Sequence, residues 1–211
     1  LLKEYRDEKP KVSLLYGITG SGKTQVFLRL ADEVIKENRQ VIIMVPEISL
    51  TPQLLSLFSA RYGDKVAVFH SAMSLGKRMD EWKRVKEGKA LIALGTRSAV
   101  FAPTENLGLI IMDEEQEHTY KSEQSPRFHA RDVAAFRTKQ FGGLLVLASA
   151  APSLETFTEA NQGQISMYTL KNRYGNAVLP KVETVDMRTE LKDGNKSIVS
   201  RRLYEAVNDT L

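Results

Sequence analysis

Short unbroken apolar runs alternate along the chain with longer stretches in which apolar residues recur every three or four positions. The runs at 12–16, 41–45, 66–69, 90–94, 107–112, 143–148 and 165–169 predict strands, and the stretches near 24–37, 51–61, 74–87, 128–140 and 153–161 predict helices. Runs such as Val41-Ile42-Ile43-Met44-Val45 and Leu144-Leu145-Val146-Leu147 contain nothing polar, as expected of strands covered on both faces. Strand–helix alternation of this kind predicts an α/β fold of three layers, a mainly parallel sheet with helices on both faces. Right-handed crossovers then bring the C-terminal ends of the strands to one edge, where ligands bind. Within 74–87, Leu75, Met79, Trp82 and Val85 share one helical face, so Trp82 is expected in the core. Lys83, Arg84, Lys86 and Lys89 read as a solvated helix face rather than a DNA groove.

The tail is looser. Lys192-Asp193-Gly194-Asn195 predicts a turn, and Ser197 is expected to cap a final helix running towards Leu211. The pattern divides the chain into a lead-in at 1–11, an α/β lobe at 12–180 and an extension at 181–211. The first residue is leucine and the last helix has no strand after it, so a piece of a longer protein is expected.

Composition narrows the classes. Of 211 residues, 42% are hydrophobic and 27% charged, an ordinary globular balance. No apolar run is long enough to cross a bilayer and the opening residues do not resemble a secretory signal, so no membrane association is expected. The absence of cysteine excludes disulfides and thiolate metal clusters within the chain and favours a cytoplasmic location. Three histidines (His70, His118, His129) make a zinc site unexpected. The net charge of +4 is only a weak pointer to a polyanion, so any nucleic-acid reading rests on motifs.

Gly17-Ile18-Thr19-Gly20-Ser21-Gly22-Lys23-Thr24 lies between a predicted strand and a predicted helix. Glycines let backbone N–H groups turn around an anion, and the helix start adds its positive dipole end. Lys23 supplies a point charge to outer phosphates, and the Thr24 hydroxyl suits magnesium. A second signal is Leu109-Ile110-Ile111-Met112-Asp113-Glu114-Glu115-Gln116, an apolar strand that delivers carboxylates at its C-terminal end. Asp113 suits a water-mediated hold on magnesium, and Glu114 suits deprotonation of an attacking water.

Three further segments follow strands. Ser149-Ala150-Ala151-Pro152-Ser153 is either a γ-phosphate sensor or a plain strand-to-helix turn. Val45-Pro46-Glu47-Ile48-Ser49-Leu50-Thr51-Pro52-Gln53 and Gly95-Thr96-Arg97-Ser98-Ala99 offer hydroxyls, backbone donors and a cation suited to phosphodiester contacts. Taken alone, Arg97 is also explained by a surface ion pair. His70 either contacts DNA or caps a turn.

In this order the segments resemble motifs I, Ia, Ib, II and III of superfamily-two helicases. They are most similar to the primosomal replication-restart helicases, through Val45-Pro46-Glu47-Ile48, Leu50-Thr51-Pro52-Gln53, His70-Ser71, Gly95 to Pro103, Tyr120-Lys121, Pro126-Arg127-Phe128-His129-Ala130-Arg131-Asp132 and Val185-Asp186-Met187-Arg188. The resemblance extends over about residues 12 to 200. It implies a RecA-like P-loop NTPase domain, the first motor lobe of a DNA-dependent ATPase. Such enzymes unwind DNA 3′ to 5′ at stalled forks and help load the replicative helicase. The implied ligands are ATP and Mg2+, with single-stranded and forked DNA as partners. Single-strand binding protein and primosome or helicase-loading proteins are further implied partners.

By the same resemblance, Gly20, Ser21, Gly22, Lys23 and Thr24 hold the nucleotide, and Thr24 with Asp113 holds the metal. Lys23, Asp113 and Glu114 carry the hydrolysis, while Gln116 and Ser149 couple it to DNA. Candidate DNA contacts are Thr51, Gln53, Thr96, Arg97, Ser98, Tyr120, Arg127, Phe128 and His129. The segment from His118 to Asp132 resembles an aromatic-rich coupling loop, whose rings Tyr120, Phe128 and His129 would stack on bases without sequence preference. Phe128 is equally explained as an anchor for the helix that follows.

Two residues depart from the family pattern: Gln116 stands where histidine is usual, and Ala151 where threonine is usual. The family's DNA-binding N-terminal region, zinc module, second lobe and motif VI arginine are not in the chain. Weak Mg-nucleotide binding, very slow hydrolysis and no unwinding are therefore expected of it alone. Two other classes remain open: a fork-reversal or repair translocase, which should lack the run 126–132, and a docking module with a vestigial nucleotide site.

Overall fold

Alternation along uniformly apolar strands sends successive side chains into two different cores, one on each face of a single sheet. In the computed structural model, which describes residues 1–7, 11–173 and 182–210, every predicted run becomes a strand. They are β1 Lys11–Gly17, β2 Gln40–Met44, β3 Val66–Phe69, β4 Ile92–Gly95, β5 Leu107–Asp113, β6 Leu144–Ser149 and β7 Ser166–Leu170. The sheet order is β3-β4-β2-β5-β6-β1-β7, with every pairing parallel. Val41 and Ile43 of β2 face one core and Ile42 and Met44 the other; Leu144, Val146 and Leu145, Leu147 of β6 divide the same way.

The helices cover both faces. Phe27, Leu30, Ala31 and Val34 of α2 (Lys23–Lys36) and Phe58 of α3 (Pro52–Tyr62) pack on one side. Val85 of α4 (Leu75–Lys86), Ala130 and Ala134 of α5 (Ala130–Phe141) and Ala160 of α6 (Leu154–Asn161) pack on the other. Two helices lie outside the predicted ones, α7 (described below) and α1 (Leu2–Arg6), which buries Tyr5, whose hydroxyl donates to Glu37. Glu4 of the same helix accepts from the hydroxyls of Ser13 on β1 and Ser166 on β7, tying α1 to the sheet.

The expected core position of Trp82 is wrong. On α4 only Val85 is buried, at 1% exposure, whereas Leu75, Met79 and Trp82 are 76%, 46% and 36% exposed. The physical reason is position: α4 packs on β3, the edge strand, so there is sheet beneath one side of the helix alone. Periodicity reports that a face is apolar, not that something covers it.

Leu1–Gly175 and Asn176–Leu211 form two separate compact units. The second contains α7 (Met187–Lys192), capped by Asp186, and α8 (Arg201–Asn208). Here a second expectation fails: Ser200, not Ser197, caps α8, accepting from Leu203 N at 3.1 Å. The Ser197 hydroxyl instead accepts from Val199 N at 3.1 Å, within the turn that precedes the helix.

The α2–α3 contact predicts a pH effect. Asp32 accepts from Arg61 Nε at 3.1 Å and from the Tyr62 hydroxyl at 3.0 Å, and the guanidinium, then the phenol, hold its carboxyl below its usual value of 3.8. A depressed folded pKa adds stability that is present above 3.8 and lost as pH falls through the folded value. Because the Arg61 side chain is 49% exposed, screening limits the pair to about 1 kcal/mol or less. Asp32→Asn should therefore lower the melting temperature slightly at pH 7 and progressively less as the pH is taken below 3.8, measured by thermal circular dichroism.

Candidate functional site

The loop from β1 to α2 is shaped by two glycines. Gly20 and Gly22 have φ of 77° and 90°, a region closed to most side chains, and Gly22 is the residue at which α2 begins. The Ser21 hydroxyl is buried and has no hydrogen-bond partner within the protein. A buried hydroxyl left unpaired is unfavourable unless a ligand completes it. Lys23 is 9% exposed; its Nζ donates to the Gly17 carbonyl at 2.9 Å and lies 3.6 Å from Glu114 Oε1.

Sheet order supplies the acids. β5, β6 and β1 are consecutive neighbours, so Asp113 at the end of β5 and Ser149 at the end of β6 face the same edge as the glycine loop. Thr19, Gly20, Gly22, Lys23, Thr24, Gln25, Asp113 and Glu114 line one cavity of about 350 Å³. Burial, reinforced by the charge of Glu114, pushes the Asp113 carboxyl up to about 6, and Lys23 only partly offsets this. Glu114 has a φ of 46°, and its N–H donates to Asp113 Oδ1 at 3.0 Å. Among the described residues no group of three or more His, Asp or Glu could hold a metal unaided. The cavity's oxygen donors, the Thr24 hydroxyl and the Asp113 and Glu114 carboxylates, fit magnesium that shares its sphere with phosphate oxygens and water.

Gln116 joins two strand ends. Its Nε2 donates to Glu114 Oε2 at 3.0 Å, and its Oε1 accepts from the Ser149 hydroxyl at 2.6 Å. A donor on one side and an acceptor on the other is also what a neutral imidazole presents, so glutamine fills this bridge without a charge. Ala151 is exposed, and its N–H donates to Ser149 Oγ at 2.9 Å.

Sequence alone gives Glu115 no role of its own. It is 4% exposed and accepts from Ser153 N at 2.7 Å, Ser153 Oγ at 3.1 Å and Thr156 Oγ1 at 3.0 Å. It thereby clamps the end of β5 to the first turn of α6. Within Asp-Glu-Glu-Gln only the acidic run itself signals this third role.

A larger cavity, of about 690 Å³, opens beyond β2, β3 and β4, and its lining includes Ser71, Arg78, Thr96, Arg97, Ser98, His118 and Lys121. Arg97 is no surface ion pair: its Nη1 donates to the carbonyls of Thr119 at 3.0 Å and Lys121 at 2.5 Å. Its guanidinium also lies 5.9 Å from the centre of the Phe128 ring, which packs edge-on against Phe101 at 4.9 Å. Phe128 is partly buried against the core, the anchoring position that sequence left open.

Tyr120 is a correction. It is 1% exposed and its hydroxyl donates to the Asp113 carbonyl at 2.6 Å, so its ring cannot stack on a base. Instead it links the loop 118–121 to the end of β5, because the loop's short 3-10 turn drives this side chain inward. His129 uses Nδ1 to accept from Arg131 N at 3.2 Å, capping α5, and Thr51 caps α3. Gln53 and Arg127 are exposed; neither they nor Thr51, Phe128 and His129 line the larger cavity.

A parallel sheet carrying a glycine loop and paired acids on its C-terminal edge defines a nucleotide-binding motor domain. The chain belongs to the DEAD/DEAH box helicase family, whose model matches residues 8–160. Two similar curated proteins are both named replication restart protein PriA. The one from Bacillus subtilis is 45% identical over 97% of this chain, and the one from Synechocystis is 46% identical over 93%. The chain spans about a quarter of the length of these relatives, 25% and 24%. Among solved structures, RecG bound to a three-way DNA junction matches 82% of the chain and 23% of its own, with a TM-score of 0.57 at 22% identity. Mss116p DEAD-box helicase domain 2 bound to an RNA duplex matches 79% and 65%, with a TM-score of 0.57 at 18% identity. These likenesses establish the RecA-like helicase fold. No helix among the described residues is long and apolar enough to cross a membrane.

Proposed function

We propose that this chain is the ATP-binding lobe of a DNA-dependent ATPase acting in replication restart. The observation that carries this reading is the convergence of Lys23, Thr24, Asp113 and Glu114 on one cavity. Thr24 and Asp113 would hold Mg2+, which when bound neutralises charge developing on the phosphates. A cation there also relieves the cost of the buried Asp113 carboxylate. Lys23, held between Gly17 and Glu114, is the ammonium that meets the outer phosphates. Engagement of Lys23 by phosphate frees Glu114 to take the proton of an attacking water, while Gln116 keeps that carboxylate oriented through Ser149.

The partner on the other cavity is single-stranded DNA, held by Thr96, Arg97 and Ser98. The link between the cavities is the loop 118–121, gripped by Arg97 on one side and by Asp113 through Tyr120 on the other. A shift of Arg97 on binding a phosphodiester would thus pull on the strand end that carries the acids. Forked DNA and primosome proteins are partners of the whole protein in this reading, and its location is the cytoplasm. The lobe alone binds Mg-nucleotide and turns it over very slowly, since the arginine that completes the site comes from a second lobe.

Calorimetry with ADP and magnesium tests the assignment. Lys23→Ala removes a charge-assisted contact of about 1.5–3 kcal/mol and should weaken binding by at least about tenfold. Equal heats and affinities for the two proteins would refute the nucleotide site.

A further inference from the structure

Among the described residues nothing covers the apolar face of α4, and its surroundings are charged. Leu75, Met79 and Trp82 are 76%, 46% and 36% exposed. Helical spacing puts Lys86 in the middle of this face and Arg78 and Lys83 on its flanks. Asp80 and Glu81 fall outside it, and Glu81 is occupied by Arg84 at 2.7 Å. The face therefore carries three cations and no acid. It also adjoins the larger cavity, because Arg78 lines that cavity and donates to the His70 carbonyl at 3.3 Å. Trp82 stands one helical turn beyond Arg78.

An occupant must offer a flat apolar surface and negative charge together. A second copy of the chain does not, since a two-fold contact would oppose Arg78, Lys83 and Lys86 to like charges. Duplex DNA has the charge but keeps its bases stacked inside. A single strand offers both, one base and one phosphate per residue. The Lys86 ammonium lies 5.3 Å from the centre of the Trp82 ring, so a base stacked there brings its phosphate to a cation.

We propose that the outer face of α4 is a second single-stranded DNA contact, continuous with the larger cavity, in which Trp82 stacks on a base while Arg78, Lys83 and Lys86 meet the phosphates. The proposal rests on the DNA-binding reading above and extends it to a surface outside the motifs.

Trp82 is the single tryptophan of the chain, so its emission reports on this face alone. The chain is titrated with a dye-labelled oligothymidylate, followed by anisotropy, and with the unlabelled oligomer, followed by tryptophan emission. Quenching of Trp82 along the anisotropy curve is expected. Trp82→Ala should weaken binding about fivefold or more, with Trp82→Phe recovering most of the loss. Lys83→Ala with Lys86→Ala should lower the slope of log affinity against log salt by about 1.4. Helical circular dichroism checks that the variants fold; should Trp82→Ala fail to fold, the emission of the unaltered chain and the lysine variants decide. Binding with unchanged Trp82 emission and unchanged affinity in the variants overturns this proposal and leaves the DNA reading standing. No binding by anisotropy removes both. Emission that changes with protein concentration alone, with a dimer by sedimentation, assigns the face to self-association and also overturns it.

Discussion

Replacing Glu115 by alanine should destabilise the chain by about 3 kcal/mol, because Ser153 N–H and Thr156 Oγ1 lose their acceptor in one step while Ser153 Oγ keeps only Thr156 Oγ1 at 2.9 Å. Ser153 N–H, Ser153 Oγ and Thr156 Oγ1 all point at this carboxylate, and the residue is 4% exposed, so water cannot replace it without opening the fold. Ser153 is also the N-cap of α6, where a negative charge is favoured by the helix dipole. Glu115→Gln keeps one acceptor oxygen, and the two hydroxyls can rotate to accept from the new amide, so a loss of about 1 kcal/mol is expected. Urea unfolding followed by circular dichroism separates the two variants. Glu115 does not line the nucleotide cavity, so ADP affinity in Glu115→Gln should stay within about twofold. Equal stabilities for alanine and glutamine would show that the donors find other partners and that the clamp is not what joins β5 to α6.

Gly95→Ala should cost about 2–4 kcal/mol. A Cβ at this position would sit 2.1 Å from the Phe69 carbonyl oxygen and 2.9 Å from Phe69 Cβ on the neighbouring strand. Backbone cannot swing away as a side-chain tip can, so β3 must separate from β4. The separation also strains the Thr96 N–H bond to that carbonyl, 3.1 Å long. Overpacking of about 1–3 kcal/mol and a lost hydrogen bond of about 1 kcal/mol therefore add. Gly88→Ala is the control: its φ of 69° disfavours alanine, but nothing lies within 4 Å, so about 1 kcal/mol is expected. Indistinguishable urea midpoints for the two would contradict the close approach of β3 to β4. Because Gly95 immediately precedes Thr96 and Arg97, the same variant should also loosen the larger cavity.

Much of the site was legible because its residues are neighbours in sequence. Gly20, Gly22, Lys23 and Thr24 line one cavity from within one turn of chain, so their spacing alone marks them as candidates. Asp113 and Glu114 end an apolar strand, and parallel topology alone places that end beside the loop. Arg97, Tyr120 and Glu115 were another matter. Each is decided by partners 22 to 41 residues away or by a carbonyl across a loop, and no local pattern encodes such a partner. Tyr120 looked like a stacking ring because aromatic residues near an acidic motif suit that purpose; burial turned it into a strut. Trp82 erred in the opposite direction, since an apolar helical stripe does not reveal how much sheet lies beneath it.

By itself, then, the order of residues determined the seven strands and the five helices between them, the parallel sheet, the glycine loop and the edge on which it lies, because these follow from periodicity, glycine conformation and crossover handedness. Tertiary structure alone decided that Glu115 locks β5 to α6, that Arg97 and Tyr120 brace one loop between two cavities, and that α4 turns an apolar face outward. The reason is physical: burial and hydrogen-bond satisfaction depend on what the rest of the chain brings alongside, and strand order, which no single segment contains, sets that company.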